Sequence, residues 1–299
     1  MAAGLAYLAR VQNADGSWGR FADADPDKYG DVRVGKTALC LLAFLGAGHE
    51  PGSGREHADV SARAVDFLLD QQLAGGRGIL ADGRRNWQRR QVQHVDGHIG
   101  AGSSYSHGIA TYALAECYAL TAEPRLRAPL ERAVQRILEA QVSSGDERRD
   151  GGWGYFFGDD HVWQGDRWPR ASVTAWQVMA LESARLGGLA VPAEALTDAG
   201  RFLAGTWDSR RGAFRYAHDP NRLNSGYPIL PASTPAAMFG LSLLGVDLSS
   251  DDLAAPRAFV MERLPGAYRR PADDAFVFEA KGNLYFWYYG TLAMFRAGG

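Results

Sequence analysis

Gln12-Asn13-Ala14-Asp15-Gly16-Ser17-Trp18-Gly19 is the stretch that decides how this chain folds. A glutamine, a polar turn with two glycines and a tryptophan follow the amphipathic segment Ala2–Val11 and precede a strongly apolar one. The combination returns in weaker form at Gln71–Ile79, at Gln141 with Gly151-Gly152-Trp153-Gly154-Tyr155, and at Trp207 with Gly212-Ala213-Phe214-Arg215-Tyr216. Such a return marks a repeat architecture, in which each unit buries its apolar face against its neighbours.

Outward from these turns, the chain alternates between two kinds of predicted helix. Ala2–Val11, Glu56–Leu73, Leu126–Gln141, Pro192–Leu203 and Asp251–Leu264 carry one apolar stripe each. Val32–Leu45, Tyr105–Leu120, Ser172–Leu186, Thr234–Leu244 and Leu284–Phe295 are apolar on nearly all sides. A stripe seats a helix on a core, whereas all-round apolarity places it inside one. Pro129 is read as lying near the first turn of its helix, and Ser249 or Ser250 as the N-cap of Asp251–Leu264. The apolar helices also align: Thr37-Ala38, Thr111-Tyr112, Thr174-Ala175 and Thr234-Pro235 stand at their starts, about 60–75 residues apart. Five amphipathic and five apolar helices, paired as hairpins, predict an all-α fold of two concentric layers. A repeat array of this kind grows without splitting, so residues 1–299 are expected to form a single repeat domain.

Composition narrows the partners. A net formal charge of -2 gives no electrostatic reason for a nucleic-acid or anionic-membrane partner. No apolar run approaches the roughly 18–20 residues of a membrane span. Cys40 and Cys117 lie in apolar helical stretches without a CxxC partner or a metal-ligand spacing, and neither a metal nor another cofactor is expected. No export signal is recognised in the chain as given, and the cytoplasm is the default expectation. The first repeat begins at the first residue, which raises the expectation of an upstream segment.

On these residues the chain resembles the terpenoid-cyclase and protein-prenyltransferase superfamily, the squalene-hopene-cyclase-like α/α toroids. Gln12–Gly19 is similar to that family's glutamine–tryptophan repeat, and Gln141 with Gly152-Trp153-Gly154 to a second copy. Tyr105–Thr111, Ser172–Leu181 and Asn283–Thr291 look closest to uncharacterised bacterial prenyltransferase and squalene oxidase repeat proteins. The resemblance implies an α/α toroid of helical hairpins with inner and outer rings. The family closes its ring with six hairpins, and five are counted here. Two expectations follow: a fragment that lacks the final hairpin, or an open flank covered by a protein partner or by self-association.

For chemistry the resemblance implies less. Class II cyclases of this superfamily use an aspartate at an inner-helix start to protonate an alkene. The matching positions here are Lys36, Ala110, Val173 and Ser233, none of them acidic. The zinc ligands of the prenyltransferases and the Gly-Cys-Gly-Glu-Gln of the thioester branch have no counterpart either. Asp159, Asp160 and Asp166 read as a solvated acidic loop rather than a diphosphate–magnesium site. What remains is His107 and Tyr105 at an inner-helix start, His94, Asp96 and His98 on the loop before it, and Asp31 before the first inner helix. His107, Tyr105, His98 and Asp31 are the candidate acid, base or catalytic groups. The ordinary role of such histidines is a loop or cap hydrogen bond. Trp176, Tyr288 and Tyr289 are the candidate ligand-binding residues, able to turn π faces to an apolar or cationic guest in the lumen. Core packing is their ordinary role.

Whether the protein is an enzyme stays open at this point. One reading is a repeat domain that lacks the acid motif and binds a hydrophobic, isoprenoid-like ligand or a protein partner. The alternative is an enzyme of the superfamily with an unusual acid or base. A polysaccharide lyase using a Tyr–His pair on a similar toroid is a weaker third.

Overall fold

The computed structural model describes residues 1–19, 33–73, 99, 104–155, 168–219, 229–264 and 283–298. Among them are ten α-helices in the predicted order: α1 (Ala2–Arg10), α2 (Arg33–Leu45), α3 (Ala58–Leu73), α4 (Ser104–Thr121), α5 (Pro124–Glu139), α6 (Ala171–Leu186), α7 (Ala193–Gly205), α8 (Ser233–Leu243), α9 (Ala254–Met261) and α10 (Leu284–Arg296). The one described sheet is a short antiparallel hairpin, β1 (Trp207–Asp208) and β2 (Ala213–Phe214), with Trp207 opposite Phe214.

The chain divides into two compact units. The first holds α1 to α5, Tyr155 and α6 from Met179 onward. There α2 packs against α4, α3 and α1, and α4 against α5. The second holds Gln141–Gly154, Ala171–Val178 of α6, and α7 to α10 with the β hairpin. There α8 packs against α7, α9 and α10.

Buried faces follow the sequence pattern. In α8 the ten residues from Ser233 to Ser242 are all buried, and α4 and α6 are similarly enclosed over most of their length. Burying each large apolar side chain of these helices contributes about 1.5–3 kcal/mol. Gly240 of α8 allows the tight approach. A Cβ there would stand 2.8 Å from Leu203 and 3.8 Å from Ala175. The outer helix α5 begins on Pro124, whose missing N–H costs nothing at that position, and buries Leu126, Leu130, Val134 and Ile137 along one stripe. Helix α10 starts on Asn283, whose side chain accepts the backbone N–H of Phe286 at 3.0 Å.

Several expectations need correction. Helices α2 and α10 are not enclosed on all sides: Leu39, Leu284 and Phe295 are exposed. Within its unit α2 lies against the inner helix α4, and α10 against α8, so their far faces meet water. Pro129 lies inside α5 rather than in its first turn. Asp251–Leu264 does not form one helix. Asp251–Leu253 is a 3-10 turn, and α9 ends at Met261. Ser250 does hold the N-cap position of that turn, without a side-chain cap bond. Instead the Asp247 carboxylate takes both the N–H and the hydroxyl of Ser249.

The repeated turn is a set of clasps between helices. Gln12, after α1, donates its amide to Gly16 O at 2.9 Å and to Val60 O in α3 at 3.0 Å. Its Oε1 accepts from Arg63. Gln141, after α5, donates to Gly151 O at 2.9 Å and to Ala195 O in α7 at 2.8 Å. At the end of α3 it is Gln72, not Gln71, that makes the bond, donating to Pro129 O in α5 at 2.9 Å and accepting from Arg132. Gly16 and Gly151 have φ of +84° and +87°, and a Cβ on either would sit 2.2 or 2.1 Å from a backbone carbonyl of the clasped helix. Glycine is required there both by conformation and by contact.

Candidate functional site

A second tie, absent from the sequence reading, fixes the starts of the apolar helices. The backbone N–H of Trp18 donates to Thr37 Oγ1 at 3.0 Å, that of Trp153 to Thr174 Oγ1 at 3.1 Å, and that of Phe214 to Thr234 Oγ1 at 3.1 Å. Three of the four threonines that align the repeats are thus acceptors for the ring-bearing residue of their turn. Threonine at an apolar helix start was the visible signal; its partner lies about twenty residues earlier and is supplied only by folding. Beside these threonines stand the positions where the resemblance places a catalytic aspartate. Ala110, Val173 and Ser233 are buried and Lys36 is half-buried, packed beside Gly19.

In the first unit, α4 carries Tyr105 and His107. Ser104 donates its N–H to Tyr155 O at 2.9 Å, and the rings of Tyr105 and Tyr155 lie 5.7 Å apart. His107 is fully buried. Its Nδ1 accepts the backbone N–H of Ile99 at 2.9 Å, which leaves the proton on Nε2, 3.0 Å from Ala133 O in α5. Backbone groups therefore engage both nitrogens and fix the tautomer. Thr111 donates its hydroxyl to His107 O at 2.8 Å, one turn along the same helix. The other two catalytic candidates, His98 and Asp31, lie outside the described residues, as do His94, Asp96, Asp159, Asp160 and Asp166.

In the second unit, the three ligand-binding candidates come together. Trp176 of α6 stacks on Tyr288 of α10 with centroids 5.4 Å apart and planes 21° apart, and meets the edge of Tyr289 at 5.4 Å. Phe239 of α8 and Tyr285 of α10 extend the cluster to Tyr289 at 6.2 and 5.0 Å. Tyr285 also donates its hydroxyl to Ser172 O. Tyr289 is fully buried, whereas Tyr285 and Tyr288 are half-buried. Three helices thus supply one aromatic wall with a partly open face. Each tilted or edge-on pair contributes about 0.5–1.5 kcal/mol beyond burial.

Charged groups elsewhere are structural in their surroundings. Asp208, buried at the β hairpin, bonds Arg211 at 2.7 Å and Arg215 at 3.1 Å. Burial pushes its carboxyl up, but the two guanidinium hydrogen bonds outweigh that and hold it below the ordinary aspartate range. The thiols are free; burial pushes Cys40 up to about 11 and, with the carboxylate of Glu123 adding to it, Cys117 up to about 12. Thiols so raised are protonated and poor nucleophiles. A cleft of about 590 Å³ in the first unit is lined by Glu50, Leu120, Thr121, Glu123 and Arg125. No sequence motif marked it, because two separate loops build it. Among the described residues no three His, Cys, Asp or Glu side chains gather as a metal set, and no helix is long and apolar enough to cross a membrane.

No protein-family model matches the chain. Over 147 residues, 48% of this chain, it is 32% identical to lanosterol synthase of Homo sapiens and 31% identical to that of Mus musculus. The chain matches only 17% of the length of either synthase. This partial similarity supports a terpenoid-cyclase-like relationship. Among solved structures, the GH76 α-mannanase of Bacteroides thetaiotaomicron superposes with a TM-score of 0.50 at 11% identity, covering 88% of this chain and 68% of that one. That likeness concerns the fold alone, and the fold class is the all-α toroid.

Proposed function

We propose that this chain is a terpenoid-cyclase-like repeat domain that binds an apolar, isoprenoid-like guest and does not carry out class II cyclase chemistry. The observation that carries the reading is the aromatic wall of Trp176, Tyr288 and Tyr289, with Phe239 and Tyr285, drawn from three helices of the second unit. Its rings match a guest with alkene π density and no charge. The partial similarity to lanosterol synthase supports the isoprenoid class. The residues Lys36, Ala110, Val173 and Ser233 supply no carboxylic acid where a class II enzyme protonates its substrate. For His107, the two backbone partners support a positioning role in place of proton transfer. A protein partner or second copy has support from α10, where Leu284 and Phe295 are 54% and 77% exposed.

The test is incubation of the purified protein with squalene, followed by gel filtration and extraction. Squalene is expected to co-elute unchanged with the wild type and to be lost with Tyr288→Ala. A cyclised product that disappears in His107→Ala would instead establish the enzyme reading.

A further inference from the structure

Outside the aromatic wall, the connection between α2 and α3 holds two imidazoles side by side. His49 follows α2, its N–H bonded to Phe44 O at 3.0 Å beyond the left-handed Gly48. His57 immediately precedes α3, and its carbonyl accepts the N–H of Ser61. Helix ends therefore fix both backbones. The ring centroids are 5.0 Å apart with planes at 50°, and the ring of Phe44 packs edge-on against both, at 6.4 and 5.5 Å. His49 Nδ1 is buried without a hydrogen-bond partner among the described residues, and so is the hydroxyl of the fully buried Ser61, one turn from His57. A buried imidazole nitrogen without a partner calls for a group that satisfies it.

We propose that His49 and His57 form a two-imidazole site for a zinc-class divalent cation, completed by water, which clips the α2–α3 connection. The spacing supports it. An ion about 2.0–2.1 Å from an imidazole nitrogen stands roughly 3.2 Å from the ring centre, so two rings sharing one ion have centres about 4.5 Å apart at a right angle and about 5.2 Å at the tetrahedral angle. The observed 5.0 Å falls between them. Imidazole suits zinc, copper and nickel. Among the described residues no third His, Cys, Asp or Glu side chain joins the pair, so water completes the coordination, while the Arg55 side chain, packed beside Gly48, opposes a cation. Sequence spacing did not suggest the pair, because neither histidine belongs to a ligand motif.

The test is calorimetric titration of the chelator-treated protein with zinc chloride. One equivalent is expected to bind to the wild type, raising its Tm, and both effects are expected to vanish in His49→Gln and in His57→Gln. Absence of binding, or the same binding in both variants, overturns the proposal. If either variant fails to fold, diethylpyrocarbonate labelling of the wild type decides. Zinc is expected to protect both His49 and His57, and continued modification of either one overturns the site.

Discussion

Thr37 Oγ1 accepts the backbone N–H of Trp18 at 3.0 Å, and the same bond joins Thr174 to Trp153 and Thr234 to Phe214. In each case a turn residue with a large ring is tied to the start of the next apolar helix. At two of these turns a glutamine adds a second bond: Gln12 donates to Val60 O in α3, and Gln141 to Ala195 O in α7.

Thr174→Val removes the acceptor from a buried N–H while keeping the side-chain volume. It is expected to destabilise the protein by about 1–3 kcal/mol, the penalty of an unsatisfied buried donor. Thr174→Ser retains the acceptor and is expected to recover most of that loss. Denaturant titration of both variants checks it; a Thr174→Val variant as stable as the wild type, with the loss confined to Thr174→Ser, would mean that the methyl packing, not the hydrogen bond, matters.

Gly151 and Gly145 share a left-handed conformation, with φ of +87° and +78°, but differ in surroundings. A Cβ on Gly145 meets nothing within 4 Å, whereas one on Gly151 meets Asp198 O at 2.1 Å. Gly145→Ala is expected to cost about 1–2 kcal/mol, from conformation alone. Gly151→Ala is expected to cost clearly more, because α7 must shift as well. Paired thermal melts read the difference.

Asp208 predicts an acid-sensitive β hairpin. Its carboxyl lies below the ordinary value of 3.8 in the folded protein. Its ionised form therefore contributes stability that is present above that value and lost as pH falls through the lower folded value. Asp208→Asn is expected to lower stability at neutral pH and to flatten its dependence on pH below about 4. A variant with the same acid slope as the wild type would show that other carboxyls carry it.

His107→Ala leaves Ile99 N–H and Ala133 O without their ring partners. A loss of stability of about 1–3 kcal/mol per unsatisfied group is expected. The readout is urea unfolding, and unchanged stability would contradict the tie.

Much of this organisation was legible in the sequence, for a physical reason. Helical period is a local property, so the ten described helices stand close to where the pattern puts them, although the ninth is shortened to Ala254–Met261. Gln12, Gln141, Trp18 and Trp153 also stood out in the sequence, because the motif that holds them is repeated. The choice between Gln71 and Gln72 was not, since adjacent helical residues face about 100° apart and only the position of α5 decides. The roles of Thr37, Thr174 and Thr234 depend on partners distant in sequence. At the candidate site, the meeting of Trp176 with Tyr288 and Tyr289 requires α6 and α10 to approach across more than a hundred residues. His107 looked reactive because histidine chemistry is visible in sequence, while the carbonyl and N–H that occupy its nitrogens are not.

The central claim is that the aromatic wall receives an apolar isoprenoid. Titration of the protein with farnesol, followed by tryptophan fluorescence, tests it most directly. Saturable quenching is predicted for the wild type, with a large loss of affinity in Trp176→Leu and Tyr288→Ala that keep their helical signal. No saturable binding, or unchanged affinity in both variants, would contradict it.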